Sequence, residues 1–324
     1  MTGAVRPTVP GAMRLVAAGR AELLDGRGLN SSYRVAWGSR ALSVKVHCAE
    51  RSSAAEFQRI GRVDAALRGA PWYPPVLALG FHGTPRPRLV VVRPYAPGTP
   101  AQDARRHITG VVGVLADLAA RAEGVRAGEA LVGDYASVWL SGARSERSLV
   151  DPLLTGEWRG LARAMDAHLG ELSAGAARLT RPSGLLVHHG DLHGRNLIAD
   201  GPDRLTVIDW DEAGFSRRPA DAGKALWLSC RLGRGDFVLD PDATALFLGR
   251  LHARLGTPYA DARDLALLGA LWFLPRHGHV TLLGRRGAGL DTWYLGWVLR
   301  FWTRFRTNLE LVAAAAAALE AGAP

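Results

Sequence analysis

The polar segment from His188 to Asn196 (HHGDLHGRN) constrains this chain more than any other part of its sequence. Apolar runs flank it at residues 185–187 and 205–208, and Asp209 follows the second run directly, 18 residues after Asp191. Short apolar runs bounded by polar residues predict buried strands. Side chains at the ends of such strands are rigidly supported. The fold must therefore present a cluster of polar groups beside two short buried strands.

These polar groups have the chemistry that phosphoryl transfer to a hydroxyl requires. A carboxylate must orient the attacking hydroxyl and accept its proton, and Asp191 suits that role. Hard oxygen ligands must hold Mg²⁺ against the phosphates, and Asn196 and Asp209 suit that role. A cation must bind the phosphates from the other side. Lys45 ends the strand-like run Ala-Leu-Ser-Val-Lys, and Glu56, 11 residues later on a predicted helix, is predicted to pair with it.

A glycine-containing turn precedes these residues. Gly26 and Gly28 lead into a strand-like run, and such turns let backbone N–H groups approach phosphates closely. Each of these features alone has an ordinary structural interpretation, such as a hairpin turn, a solvated lysine or a turn-capping aspartate. The combination in this order indicates a phosphate site. His189 is predicted to organise its loop by hydrogen bonding rather than to act as a base.

The elements predicted along the chain fall into two groups. Residues 1–10 contain two prolines and predict a loose tail. Strands are predicted at residues 32–37, 41–47, 76–79 and 89–93, with a helix at 52–67, which together indicate a small antiparallel sheet. Beyond a Pro/Gly-rich break, helices are predicted at about 101–121, 155–178, 219–232, 241–255, 260–274 and 289–320.

This pattern predicts an α+β, bilobal fold. We expect a nucleotide-binding lobe at residues 1–94, a hinge at 95–100, and a larger, mainly helical lobe at 101–324 that carries the catalytic loop and the acceptor site.

The chain resembles the aminoglycoside phosphotransferase and choline kinase branch of the protein-kinase-like superfamily. The resemblance is carried by His-Gly-Asp-Leu-His-x-x-Asn-Leu-Ile, by the later Ile-Asp-Trp-Asp and by the linker-like Arg-Pro-Tyr-Ala-Pro-Gly-Thr, and it spans about residues 13–310. It implies ATP (or GTP) with Mg²⁺, Asp191 as catalytic base, and Asn196 and Asp209 as metal ligands. The implied nucleotide site comprises Gly26, Gly28, Ser31, Lys45, Glu56, Arg93 and Tyr95. It also implies that a buried Asp221 stabilises the catalytic loop.

Three departures point away from a conventional protein kinase. Gly190 stands where protein kinases have an arginine that receives a phosphorylated activation segment, so that form of switching is not expected. Asp-Trp-Asp replaces Asp-Phe-Gly, and Ser31 stands where a third glycine would complete the protein-kinase turn.

Charge is distributed unevenly along the chain. Residues 1–94 hold 14 basic and 5 acidic residues, whereas the rest holds 26 and 25. This excess suggests an anionic partner such as nucleotide phosphates or an acidic protein or peptide, and a role in solubility is the alternative. Only two lysines, Lys45 and Lys224, occur beside 38 arginines, which makes each of them notable.

The sequence also bears on the location of the protein. No apolar run reaches the length of a membrane span, and no signal peptide is evident. Two cysteines far apart, without metal-ligand spacing, favour a reducing, cytoplasmic location.

The sequence constrains the substrate that accepts the phosphate less than it constrains the nucleotide that donates it. The favoured hypothesis is a hydroxyl of a small natural product or antibiotic. One alternative is Ser/Thr of a ribosomal precursor peptide before β-elimination, and another is a pseudokinase that only binds. A nucleic-acid partner is not expected. Acidic side chains that could form a patch for a cationic acceptor are Asp211, Glu212, Asp236, Asp240 and Asp242. An aromatic stripe at helical spacing near the C-terminus predicts buried core rather than an acceptor wall. The stripe comprises Leu290, Trp293, Tyr294, Trp297, Phe301, Trp302 and Phe305.

Overall fold

The structure is a computed structural model that describes residues 6–25, 30–101, 103–122, 135–150, 159–179, 185–199, 204–233, 235–274 and 294–322. A five-stranded antiparallel sheet forms its N-terminal part, in the order β1-β2-β3-β5-β4. Its strands are β1 (Ala21–Asp25), β2 (Ser31–Trp37), β3 (Arg40–Val46), β4 (Ala78–His82) and β5 (Arg88–Pro94).

Local sequence explains why these strands pair as they do. Val35 of β2 is buried between two exposed neighbours, and Leu42 and Val44 of β3 are buried between partly buried ones. Trp37 pairs with Arg40 across a two-residue turn. Gly38 in that turn has φ +60°, which suits a tight hairpin. Val35, Leu42 and other buried side chains of these strands form a small core. Lys45 therefore lies in the central strand of a rigid sheet.

Two helices accompany the sheet. α1 (Val9–Ala17) begins behind Thr8, whose hydroxyl accepts a hydrogen bond from the Gly11 N–H at 3.2 Å. α2 (Ala54–Leu67) begins behind Ser53, which caps the Glu56 N–H at 3.1 Å. The loose tail predicted for residues 1–10 is therefore wrong from position 9 onward, because Pro10 lies in the first helical turn, where its missing N–H costs nothing.

Helices dominate the rest of the chain. They are α3 (Ile108–Arg121), α4 (Tyr135–Ser145), α5 (Arg147–Val150), α6 (Arg159–Arg178), α7 (Ala220–Ser229), α8 (Pro241–Leu255), α9 (Ala262–Ala270) and α10 (Tyr294–Ala321). In the described segments of this part, six short strands pair as three two-stranded sheets. These are β6 (Leu186–His188) with β9 (Gly214–Ser216), β7 (Leu197–Ala199) with β8 (Leu205–Val207), and β10 (Arg231–Gly233) with β11 (Asp236–Leu239).

α7 is the central helix of this part, since every one of its residues is buried. It packs against α9 at a crossing where Gly223 and Gly269 meet, and a Cβ on either glycine would overlap the backbone of the other helix. The small residues let the two helix backbones approach closely. α7 is thereby fixed at a set depth beneath the segment 188–196.

The aromatic stripe of α10 is core, as predicted, wherever its side chains are described. Phe301, Trp302 and Phe305 are buried, and the Trp302 indole N–H donates to the Phe273 carbonyl at 3.0 Å. Leu290 and Trp293, which share the predicted stripe, lie outside the described residues.

The predicted α+β, bilobal fold is confirmed, with local corrections. The helix predicted at 219–232 ends at Ser229, because β10 and β11 form a hairpin that buries Phe237 and Leu239. β1 and α4 were not predicted. Linker residue Pro100 forms an isolated bridge with Ile198, and the Ala101 N–H donates to the Leu197 carbonyl at 2.9 Å. The chain leaving the sheet is thus joined at once to β7.

Candidate active site

The segment 189–196 connects β6 to β7 through a turn that requires glycine. Gly190 has φ +82°, and a Cβ on it would lie 2.5 Å from the Glu212 carbonyl oxygen. A side chain here would be strained by the backbone and blocked by Glu212. The glycine that departs from the protein-kinase pattern therefore has a steric cause.

A buried carboxylate holds this turn from below. Asp221, at the start of α7, accepts hydrogen bonds from the backbone N–H groups of His189 and Gly190, the latter at 2.8 Å. Burial raises the pKa of Asp221 against the opposing effect of His189 and these N–H donors. The structure thus places Asp221 where the family resemblance implied.

His189 organises the loop, as its sequence context predicted. Its Nε2 donates to the Ile208 carbonyl at 2.9 Å, and its Nδ1 accepts from the Asp191 N–H at 3.1 Å. Burial lowers the pKa of His189. The neutral ring therefore joins the loop to the end of β8, directly before Asp209.

Asp191 receives donors on both carboxylate oxygens. Lys224 Nζ lies 2.6 Å from its Oδ1, while Asn196 Nδ2 and His193 Nε2 lie 3.2 and 3.3 Å from its Oδ2. Burial alone would raise the pKa of Asp191, but Lys224 and His193 hold it well below its usual range. The carboxylate is therefore ionised and its orientation is fixed.

Asn196 and Asp209 stand beside it at the ends of the β7–β8 pair. The Asn196 amide also donates to the Asp191 carbonyl at 2.8 Å, which leaves its side-chain oxygen available to a ligand. Asp209 has φ +62°, an uncommon conformation for a residue other than glycine. Such backbone strain is often found at functional sites. Together they offer an amide oxygen and a carboxylate.

Lys45 reaches this cluster from the N-terminal sheet. Its Nζ lies 2.5 Å from Asp209 Oδ1 and 2.7 Å from Asp211 Oδ2. Burial alone would lower the pKa of Lys45, but the two carboxylates raise it above its usual range. The structure therefore brings Lys45 to Asp209, 164 positions away in the sequence, beside the loop that carries Asp191 and Asn196.

Glu56 does not form the ion pair predicted for it. It binds the Arg59 guanidinium, one turn along α2, with Arg59 Nε 2.9 Å from Glu56 Oε2. Arg59 also donates to the Asp211 carbonyl at 2.6 Å. Lys45 pairs with Asp209 and Asp211 rather than with Glu56. Glu56 instead connects α2 to the Asp211 backbone through Arg59.

The remaining predicted nucleotide residues are dispersed. Gly26 and Gly28 lie outside the described residues. Ser31 pairs with Val46 at the start of β2. The Arg93 guanidinium donates to the Tyr73 hydroxyl at 2.8 Å and to the Pro74 carbonyl at 2.6 Å, and Arg34 covers the Tyr95 ring. The Arg93 side chain thus has partners within the protein.

Sequence reasoning did not assign Asp211 or Lys224 to this site. Asp211 accepts from Asn30 Nδ2 at 2.5 Å as well as from Lys45. Burial alone would raise the pKa of Asp211, but Lys45, His47 and Asn30 lower it to about 2. The sequence signals were the second acid of Asp-Trp-Asp and the rarity of lysine.

The acidic patch suggested for a cationic acceptor is largely engaged by cations of the chain itself. Asp211 pairs with Lys45, Glu212 with Arg51 at 2.5 Å, and Asp240 with Arg105 at 2.9 Å.

The fold and this geometry define a kinase-like phosphotransferase. The phosphotransferase enzyme family APH matches residues 20–255, and the chain belongs to that family. Members of this class move phosphate to hydroxyl groups of small molecules, and the chain is accordingly a kinase with an alcohol acceptor. A search of curated proteins gave no match.

Solved structures share the fold over nearly the whole chain. A microcompartment-associated aminopropanol kinase is 19% identical, with a TM-score of 0.64 over 92% of this chain and 98% of that one. A thermostable mutant of aminoglycoside phosphotransferase APH(4)-Ia, in a ternary complex with AMP-PNP and hygromycin B, is 16% identical, with a TM-score of 0.59 over 91% and 98%. An aminoglycoside phosphotransferase from Alicyclobacillus acidocaldarius is 14% identical, with a TM-score of 0.57 over 93% of both.

No helix in the described part of the chain has both the length and the apolar character that crossing a membrane requires.

Proposed function

We propose that this protein transfers the γ-phosphate of ATP to a hydroxyl of a small natural product or antibiotic-like molecule. One observation carries the proposal. Lys45 Nζ of the sheet lies 2.5 Å from Asp209 Oδ1. Asp191 and Asn196 are hydrogen-bonded to each other on the adjacent loop 189–196. These contacts support a proposal in which Lys45 is the phosphate-binding cation, Asn196 and Asp209 are the metal ligands, and Asp191 is the base.

Lys45 binds the phosphates of the nucleotide in this proposal. The turn containing Gly26 and Gly28, with Ser31, covers the phosphates, and the linker around Arg93 and Tyr95 borders the base of ATP or GTP. Glu56 acts at a distance, by holding Arg59 against the Asp211 backbone. The proposal keeps the nucleotide-binding lobe at residues 1–94, the hinge at 95–100 and the helical lobe at 101–324.

The donor set fits Mg²⁺. Asn196 and Asp209 present hard oxygen atoms, and among the described residues there is no group of three or more His, Cys, Asp or Glu side chains that could hold a metal by themselves. Mg²⁺ is usually bound by one or two carboxylates together with substrate phosphates. When bound, the ion would neutralise charge on the phosphate oxygens.

The reaction follows from the orientation of Asp191. Its Oδ2 accepts the proton of the acceptor hydroxyl as that oxygen forms a bond to the γ-phosphorus. The bond between the γ-phosphorus and the β,γ-bridging oxygen breaks, and its electron pair leaves with ADP. Because Asp191 is held on a buried loop, orientation rather than strong basicity is its contribution.

The acceptor class is inferred from charge and from the family. Since Asp211, Glu212 and Asp240 are paired with the chain's own cations, a strongly polycationic aminoglycoside is disfavoured. A neutral or weakly charged hydroxylated compound fits better. A role in biosynthesis or self-resistance, at a cytoplasmic location, completes the proposal.

ATP consumption in the presence of Mg²⁺ tests the proposal, with hydroxylated antibiotics, aminoglycosides and a Ser/Thr-rich peptide as separate acceptors. Turnover with a small hydroxylated compound should fall by about 10²–10⁴-fold in Asp191→Ala, while ATP affinity stays within about threefold. Turnover with the peptide alone would establish the precursor-peptide alternative, which rests on the basic N-terminal part. Equal turnover by Asp191→Ala, or none with any acceptor, would overturn the proposal, and the second result would favour the pseudokinase.

A further inference from the structure

Lys224 is a buried polar group of the site to which the proposed chemistry gives no role. It lies on α7, its side chain is only 6% exposed, and its Nζ donates to Asp191 Oδ1 at 2.6 Å and to the Gly190 carbonyl at 3.0 Å. Its ammonium also lies 5.0 Å from the centre of the Trp272 ring. A buried lysine requires such partners, because an unpaired buried charge is strongly disfavoured.

Lys224 works with a second residue of the same helix. Asp221 and Lys224 are three positions apart and therefore lie on one face of α7. Asp221 accepts from the N–H groups of His189 and Gly190, while Lys224 donates to the Gly190 carbonyl and the Asp191 carboxylate. One turn of α7 thus holds the donors and the acceptors of three consecutive loop residues.

We propose that Lys224 is a positioning residue for phosphoryl transfer, which fixes the Asp191 carboxylate by its Oδ1 so that Oδ2 faces the acceptor hydroxyl. The close crossing of Gly223 and Gly269 sets the depth of α7, and therefore the height of the Lys224 ammonium beneath the loop. Asn196 Nδ2 and His193 Nε2 approach the opposite oxygen, so Lys224 is the one side-chain donor to Oδ1 among the described contacts. This inference rests on the proposed function.

The test compares Lys224→Met, which keeps the length of the buried stem, with Lys224→Gln, which keeps a neutral donor. Arg250→Met, which removes an exposed cation from α8, is the matched control. ATP turnover is measured with the best acceptor or, failing one, with water, and is normalised to the amount of protein that binds ATP. Lys224→Met should lose about 10²-fold or more of its turnover and Lys224→Gln about tenfold, with ATP affinity and the control within about threefold.

A double-mutant cycle separates positioning from general support of the fold. In an Asp191→Asn background, Lys224→Met should change the residual turnover by less than about twofold, because its effect passes through Asp191. An equal loss in both backgrounds would overturn the inference, and so would weakening of ATP binding that matches the loss of turnover. If Asp191→Asn itself leaves turnover unchanged, the proposed function fails; if it abolishes turnover while Lys224→Met does not, only the role of Lys224 fails.

Discussion

The two lysines of this chain both pair with aspartates, and the two pairs are built differently. Lys45 reaches from β3 to Asp209 and Asp211, so its pair joins the N-terminal sheet to the helical part. Lys224 and Asp191 both belong to the helical part and lie on α7 and the loop above it. The geometry of the Lys45 pair therefore depends on how closely the sheet and the helical part approach each other. The geometry of the Lys224 pair depends only on the position of α7 beneath the loop. The first pair suits ligand binding and the second suits fixed orientation.

Replacing Lys45 should have the largest effect on turnover, and it should weaken ATP binding where replacing Lys224 does not. Lys45→Met should raise the Kd of ATP by about 10–100-fold, because a charge-assisted bond to phosphate is lost. Turnover should fall by about 10²-fold or more. Calorimetric titration with ATP, beside the same measurement on Lys224→Met, checks this. If both variants bind ATP equally well, the assignment of ligand binding to Lys45 is wrong.

The second comparison uses two glycines with positive φ. Gly190→Ala should lower the free energy of unfolding by about 3 kcal/mol, since the unfavourable backbone is joined by a clash with the Glu212 carbonyl. Gly256→Ala, at φ +63° with no atom near its Cβ, should lose about 1 kcal/mol. Chemical denaturation measures both. Equal losses would show that the loop above α7 relaxes freely, against the fixed orientation described for Asp191.

The helical part should also respond to pH through a buried histidine. Burial lowers the pKa of His188 to about 3, so the folded protein keeps this ring neutral while the unfolded chain protonates it near pH 6.5. The stabilisation is complete above about pH 6.5 and is lost as the pH falls from there toward 3. Denaturation at pH 7 and pH 5 should show a smaller difference in unfolding free energy for His188→Asn than for the unaltered protein. An equal difference would contradict the neutral, buried ring.

Replacing Glu56 should have the smallest effect on turnover and stability, and it tests whether Glu56 contacts Lys45. Because Glu56 binds Arg59 rather than Lys45, Glu56→Gln should lower turnover by less than about tenfold and stability by about 1 kcal/mol. Arg59→Met should behave alike, and the double variant should add little. ATP turnover and thermal unfolding of the three variants check this. A loss as large as that of Lys45→Met would mean that Glu56 contacts Lys45 during turnover.

The sequence predicted the parts of the site that lie within continuous motifs. Asp191, Asn196 and Asp209 are close in the chain, and the strands around them fix their geometry. Lys45 could be matched to them by its order in the chain. Glu56 could not, because its partner depends on the rotation of α2, and one helical turn brings Arg59 nearer.

The site residues that could not be predicted from the sequence depend on contacts between segments distant in the chain. Asp211 pairs with Lys45 from 166 positions away, and Lys224 meets Asp191 through the depth of α7, which two glycines set. The helix predicted at 219–232 extended into β10, and β11 was not predicted, because short strands carry little periodicity. Composition gave one usable hint, since both lysines of an arginine-rich chain lie in the site.

The scarcity of lysine has a practical consequence for chemical labelling. An amine-directed reagent has two side-chain targets in the whole chain, and both contact aspartates of the candidate site. The Lys45 side chain is 18% exposed and the Lys224 side chain is 6% exposed, so Lys45 is the more accessible of the two to a small reagent. The thirty-eight arginines keep the protein strongly cationic without competing for the reagent. Acylation located at Lys45 by peptide mapping would therefore report whether the proposed nucleotide site is free, without any engineered residue.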